Sequence, residues 1–321
     1  MVLAVFFLRK LSRPHSVLFG NKKSKDYQNI EAFLRNCGSL APKRYSFSDI
    51  KKMTHSFKHK LGQGGYGDVY KGKLFDGSCV AIKVLIESKG DGEEFINEIA
   101  SISRTSHVNI VTLLGFCFEG KNRTLIFKFM SNGSLEKFIH EKGSLKWETL
   151  YQIIVGVARG LEYLHRGCNT QILHFDIKLH NILLDEDFCP KISDFGLAKI
   201  CPKKESIVSM TGARGTVGYI TLEVFSKNFG VISHKSDVYR RLEEDEELGL
   251  HGISHEEDKE IVRKMIIVSL WCIQTNPSER PTMSRVVEIL EGSLHSLQIP
   301  PKPFLSSPRS TLRDSSISIP S

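Results

Sequence analysis

Paired cysteines, long apolar runs, internal repeats and aromatic-studded basic stretches are all missing from this sequence, and each absence closes a class of function. The seven cysteines (Cys37, Cys79, Cys117, Cys168, Cys189, Cys201 and Cys272) are odd in number, scattered and never spaced as Cys-x-x-Cys. Neither a disulfide framework nor a zinc site is encoded, and reduced thiols in a cytosolic compartment are expected. The apolar start, Met1 to Leu8, is eight residues long, whereas a bilayer-spanning helix needs about 20. Its charges, Arg9, Lys10 and Arg13, follow the apolar residues instead of preceding them, the reverse of a secretory signal. Two readings remain open: the stump of a spanning helix with positive-inside residues behind it, or a chance hydrophobic start. The net charge of +8 is lopsided, since residues 1 to 60 hold 13 Lys/Arg against 3 Asp/Glu and the remainder holds 31 against 33. Aromatic side chains do not alternate with those charges as a nucleic-acid stacking platform requires, so no nucleic-acid partner is expected. The basic arm suits an anionic inner leaflet, where each basic residue contributes about 1 kcal/mol, or stays solvated with no partner.

What is present changes character along the chain. Ser46 and Asp49 can cap a short helix reaching Thr54. From Leu61 to about Leu125, β-branched runs broken by glycines predict a small, mostly β lobe with one helix over Glu93 to Ser103. Leu150, Ile153, Ile154, Val157, Ala158, Leu161 and Leu164 then recur at three- and four-residue steps, one face of a long buried helix. A further helix is predicted over Ile261 to Ile273. From Ile299 to Ser321 the chain is rich in Ser and Pro and has no core-forming pattern, so disorder is expected there.

Three motifs carry chemistry. Leu61, Gly62, Gly64, Gly65, Gly67 and Val69 form a Gly-x-Gly-x-x-Gly-x-Val string. Glycines at that spacing let main-chain N–H groups approach phosphate oxygens. The continuation Val69-Tyr70-Lys71 reads as strand, not as the helix that a dinucleotide fold would need. Fourteen residues past Val69, the strand Val80-Ala81-Ile82-Lys83 ends in a cation suited to phosphates, and Glu98 in the next helix is its best-placed carboxylate partner. The decisive stretch is His174-Phe175-Asp176-Ile177-Lys178-Leu179-His180-Asn181, with Asp194-Phe195-Gly196 behind it. Phosphoryl transfer requires a carboxylate for the hydroxyl proton, a cation near the moving phosphoryl group and oxygen ligands for magnesium. Asp176, Lys178, Asn181 and Asp194 fill those roles in order.

With these motifs the chain resembles the eukaryotic protein kinases from about Phe57 to Leu290. Ser131 to Ile139, Asp194 to Lys199, Gly215 to Ile220 and Trp271 to Pro281 are similar to plant receptor-like kinases, especially the leaf-rust-resistance-kinase-like branch. The resemblance implies an α+β, two-lobed kinase fold. It divides the chain into a basic juxtamembrane-like arm (1–54), a small lobe (55–130), a large lobe (131–292) and a Ser/Pro-rich tail (293–321). It also implies a serine/threonine kinase acting on protein hydroxyls, with Lys178 and Thr216 matching that specificity, ATP as substrate, and magnesium, or alternatively manganese, as the ion. Phe127 would be the gatekeeper and Lys128 to Met130 the hinge, with Val69, Ala81 and Leu183 around the adenine. Family members sit in the plasma membrane with the kinase on the cytoplasmic side; this chain alone, without a complete spanning helix, could be cytoplasmic.

The pattern is broken in three places. Phe175 replaces the arginine that usually precedes the catalytic aspartate, which makes control through phosphorylated Ser206, Ser209 or Thr211 less expected. Thr221-Leu222-Glu223 stands for Ala-Pro-Glu, with Arg280 retained as the family's partner for Glu223. After Tyr239 the chain passes directly to the acidic run beginning Arg240-Arg241-Leu242, and by resemblance 35 to 40 residues of the large lobe, including most of its central helix, are missing there. An active kinase and a truncated, catalytically weak nucleotide-binding scaffold are therefore both expected outcomes.

Overall fold

A computed structural model describes residues 42–64, 67–85, 93–139, 145–168, 170–201, 256–274 and 276–293, with a few single positions elsewhere. The activation-segment hydroxyls, Glu223, the junction at 239 and 240, the apolar start and the region beyond 300 lie outside the described residues.

The small lobe is built on a six-stranded sheet. Its strands are β1 (Lys43–Arg44), β2 (Lys60–Gly64), β3 (Gly67–Lys73), β4 (Cys79–Leu85), β5 (Leu113–Glu119) and β6 (Asn122–Lys128), in the order β1-β5-β6-β4-β3-β2. All neighbours are antiparallel except β1, which joins β5 in parallel. Two helices flank the sheet, α1 (Phe47–Met53) and α2 (Glu93–Ile102). Ser46 and Asp49 form the capping box expected from their spacing: the Ser46 side chain accepts from the Asp49 N–H, and the Asp49 carboxylate accepts from the Ser46 N–H.

The segment from residue 43 to 54, part of the stretch expected to be an arm, is bolted onto this sheet. Tyr45, Ile50 and Met53 are buried against Val80, Ile82, Cys117 and Ile126. Gly115 permits it, because a Cβ there would lie 2.6 Å from the Lys43 carbonyl oxygen and 2.5 Å from the Tyr45 ring. Arg44 donates to the Phe118 carbonyl at 2.8 Å and Tyr45 N–H to the Phe116 carbonyl at 2.8 Å. Ile50 is fully buried, so Ile50→Ala should lower stability by about 2–5 kcal/mol, read as a shift in the urea midpoint.

The large lobe contributes β7 (Gly133–Ser134), α3 (Glu136–Ile139), α4 (Trp147–Glu162), β8 (Gln171–Leu173), β9 (Ile182–Leu184), β10 (Pro190–Ile192), β11 (Lys199–Cys201), α5 (Glu256–Cys272) and α6 (Met283–Glu291). The strands pair as β10-β9-β7 and β11-β8. Helix α4 is the long helix predicted from its apolar spacing, and α5 is the later one, starting five residues earlier than expected. The face of α4 is wider than its apolar residues suggest: Gly156 and Gly160 are also buried. A Cβ at Gly156 would meet the Pro190 ring at 2.5 Å, and one at Gly160 the Ile192 side chain at 2.8 Å. The glycines thus let β10, which leads into Asp194, lie directly on the helix. Among the described residues no helix is long and apolar enough to cross a membrane.

Candidate active site

The cleft face of the small lobe follows from strand register. Ala81 and Lys83 are two residues apart on β4 and point the same way; Ala81 pairs with Phe127 and Lys83 with Val69. Val69, Ala81, Lys83 and Phe127 therefore share one face, while Val80 and Ile82 enter the core on the other. Leu61, Gly62 and Gly64 run along β2 opposite β3, with Gly62 facing Val69 and Gly64 facing Gly67. The glycines have different jobs. A Cβ at Gly62 would meet nothing within 4 Å, whereas one at Gly67 would lie 2.1 Å from the Val84 carbonyl oxygen. Gly67 is thus demanded by close strand approach, whereas a side chain at Gly62 would enter open space. Gly65 lies outside the described residues. Met130 is buried just beyond β6, and Leu183 faces β7 from β9 through its pairing with Ser134.

Lys83 joins the lobes electrostatically. Its Nζ lies 2.8 Å from Glu98 Oε2 on α2 and 2.6 Å from Asp194 Oδ1. Glu98 is 1% exposed. Burial alone would lower the Lys83 pKa and raise that of Asp194. Their mutual attraction, with the Glu98 carboxylate also acting on Lys83, outweighs it, holding Lys83 above its ordinary 10.5 and Asp194 below its ordinary 3.8. A raised lysine stabilises the fold fully below 10.5 and loses that contribution as pH climbs past it; a depressed carboxylate stabilises above 3.8 and loses it as pH falls. The cluster's contribution should therefore be flat between those values and decline at both extremes. The difference in urea midpoint between the wild type and Lys83→Met should therefore be largest between those values and shrink at both extremes.

The second cluster surrounds Asp176, which is 2% exposed. Its Oδ2 accepts from Lys178 Nζ at 2.8 Å and from Asn181 Nδ2 at 2.9 Å, and Asn181 Nδ2 also reaches the Asp176 carbonyl at 2.9 Å. The clusters are tied together by Ser193, whose N–H and Oγ–H both donate to the Asn181 carbonyl at 2.9 Å. His174, fully buried, adds a second tie. Its Nδ1 accepts from the Asp176 N–H at 3.2 Å, so the ring proton sits on Nε2, which donates to the Ser193 carbonyl at 3.0 Å. The ring also meets Phe195 edge-on at 4.7 Å. These linking roles of His174 and Ser193 were not assigned from sequence, although both stand inside or beside the quoted motifs.

Two residues of this region adopt left-handed backbone, Phe175 with φ 61 and Asp194 with φ 66. Aspartate tolerates that conformation; a bulky aromatic is strained there, by about 1–3 kcal/mol. Phe175 is 9% exposed, so surrounding packing holds this loop in a shape its own backbone disfavours. Among the described residues no cluster of three or more His, Cys, Asp or Glu side chains is placed to hold a metal ion. Asp194, beside Lys83, and Asn181, beside Asp176, each bring a side-chain oxygen to this region.

The family model described as protein tyrosine and serine/threonine kinase matches residues 55–240. The chain belongs to the protein kinase family. Its curated relatives include the PR5-like receptor kinase of Arabidopsis thaliana, 52% identical over 333 residues, covering 91% of this chain and 50% of the relative. Rust resistance kinase Lr10 of Triticum aestivum is 49% identical over 320 residues, covering 88% of this chain and 50% of the relative. The leaf rust 10 disease-resistance locus receptor-like protein kinase-like 2.1 of Arabidopsis thaliana is 50% identical over 307 residues, 84% of this chain and 48% of the relative. This kinase-family chain therefore spans about half the length of the curated relatives it matches. The α+β lobes and the family resemblance read from the motifs both hold.

Proposed function

We propose that this chain is a protein serine/threonine kinase that uses ATP and magnesium. The observation that carries the reading is Lys83 Nζ within 2.8 Å of buried Glu98 and 2.6 Å of Asp194. The donor set fits the ion: with Asn181 Nδ2 spent on Asp176, its Oδ1 is the amide atom left as a ligand, and with Asp194 Oδ1 spent on Lys83, Oδ2 remains. Hard oxygen donors in that small number suit magnesium, which keeps water and phosphate oxygens around it. When bound, magnesium and ATP supply charge neutralisation and the transferable phosphoryl group.

The chain's own residues do the rest. Val69, Ala81, Phe127, Met130 and Leu183 enclose adenine, and Leu61, Gly62, Gly64, Gly65 and Gly67 cover the phosphates. Lys83, held by Glu98, orients the α- and β-phosphates. Asp176 orients the substrate hydroxyl and accepts its proton, while Lys178 offsets negative charge on the group in transit. Lys178 and Thr216 support a serine or threonine acceptor. The receptor-like kinase names of the relatives and the basic residues ahead of Lys43 support a place on the cytoplasmic side of the plasma membrane, with that stretch against anionic lipid. Incubation of the folded chain with ATP labelled at the γ-phosphate and peptides differing only in Ser, Thr or Tyr tests the reading. Label on Ser and Thr peptides is expected, and a folded chain that labels none overturns it.

A second reading, a truncated and catalytically weak nucleotide-binding scaffold, has its own support. The family match stops at residue 240, beside the junction after Tyr239. The alignment with the PR5-like receptor kinase runs over 333 residues while taking in 91% of a 321-residue chain, about 292, which leaves about 41 positions without a counterpart. Loss of a buried helix exceeds the roughly 5–15 kcal/mol that holds a domain together. Sequencing the transcript across codons 239 and 240 separates the readings: recovered helices remove the scaffold reading, and a continuous junction supports it.

A further inference from the structure

Lys71 is an exposed cation that the phosphoryl chemistry does not use. It lies two residues past Val69 on β3 and pairs directly with Ala81 on β4, so its side chain stands on the cleft face of the sheet. The next residue, Gly72, backs onto the opposite face, where a Cβ would lie 2.7 Å from the Ile82 side chain. From β3 the Lys71 side chain crosses β4 and sets its Nζ over the Phe129 ring, 4.6 Å from the centroid. Cys79 and Ala81, the β4 residues on that face beneath it, are short enough to let it pass. A cation within about 6 Å of a ring centroid is attracted by the ring's negative face.

Phe129 is the middle residue of the hinge, Lys128 to Met130, and its main chain is held weakly. The Phe129 N–H donates to the Cys79 carbonyl at 3.4 Å, long against the ordinary range of about 2.7–3.2 Å. Lys128 N–H, one residue earlier, reaches the Thr112 carbonyl at 3.1 Å. Lys71, by contrast, is fixed: its N–H donates to the His59 carbonyl at 2.8 Å, and β3 pairs with β4 along its whole length. A rigid strand thus grips a loosely bonded hinge residue through its ring. We propose that Lys71 is a positioning residue for nucleotide binding, its ammonium clamping the hinge to β3 through the face of Phe129. Lys71 acts through Phe129 and not on the nucleotide itself. Without the clamp, binding must first order the hinge, and apparent affinity falls in proportion to the fraction of chains with the hinge in place.

The effect on nucleotide rests on the kinase reading; the ordering of the hinge does not. Two readouts on the full chain keep them apart: hydrogen exchange of the Phe129 amide, followed by NMR without nucleotide, and a fluorescence titration with mant-labelled ATP. Lys71→Met keeps the length of the side chain and removes its charge. It should speed Phe129 exchange and weaken mant-ATP binding, each by about two- to fivefold, the factor a partly exposed cation–π contact supplies. Lys71→Arg keeps a cation for the ring and should restore both. Phe129→Leu removes the ring, and in that background Lys71→Met should cost nothing further. Exchange or affinity unchanged in Lys71→Met, an equal loss in Lys71→Arg, or a full loss that persists beside Phe129→Leu each overturns the proposal. A folded wild type that binds no mant-ATP contradicts the kinase reading; the clamp then stands or falls on Phe129 exchange across the same variants.

Discussion

Asp176→Asn should lower the rate of phosphoryl transfer by about 10²–10⁴-fold, the range contributed by a positioned general base, while nucleotide affinity stays near that of the wild type. The reason is local. Asp176 touches Lys178 and Asn181, and an asparagine keeps an acceptor of the same shape for both. What it removes is the negative charge and the basicity that take a hydroxyl proton. The measurement is a split: initial rates on a serine peptide beside a mant-ATP titration, for both proteins. If rate and affinity fell together, Asp176 would be organising the nucleotide site instead of serving as the base.

Glu98→Ala should act in the opposite pattern, on stability and nucleotide affinity together. Removing one member of a buried ion pair leaves the other charge uncompensated, at about 3–5 kcal/mol. Lys83 still keeps Asp194 at 2.6 Å, which places the expected loss at the lower end, about 3 kcal/mol, or a fall in Tm of about 6–12 °C for a domain of this size. With only Asp194 to hold it, Lys83 is drawn away from the phosphates and towards the lower lobe, so mant-ATP should bind more weakly. Differential scanning fluorimetry with and without nucleotide reads both effects. An unchanged Tm would mean that the pair contributes as little as an exposed one.

Legibility in the sequence followed the range of each interaction. The helix cap at Ser46 and Asp49, the helix over Glu93 to Ile102 and the long helix at Trp147 were readable because capping and apolar periodicity are local. The pairing of Lys83 with Glu98 was readable because the two motifs share a fixed chain order, and contact at 2.8 Å joins them. Three features were not readable, because they depend on neighbours far away in the chain. Gly115 looks like any strand glycine until Lys43 and Tyr45 lie across it. Gly156 and Gly160 interrupt an apolar face on paper, yet in space they are the part of that face on which β10 rests. His174 is a motif letter until its tautomer, fixed by Asp176 N–H, shows that it spans from Asp176 to Ser193, the residue before Asp194.

The two readings of the chain part on whether this arrangement survives in solution. Both clusters are held chiefly by contacts among residues 81 to 195: Lys83 to Glu98 and Asp194, Asn181 to Asp176 and Ser193, and His174 to Ser193 and Phe195. That segment precedes the junction at 239 and 240, so the nucleotide half of the site has its own supports. Calorimetric titration of ATP into the full chain, with and without magnesium, tests this most directly. Saturable, magnesium-dependent binding that is lost in both Lys83→Met and Asp194→Ala is the predicted result. A folded chain that binds no ATP, or binds it equally without magnesium and in both variants, would contradict it.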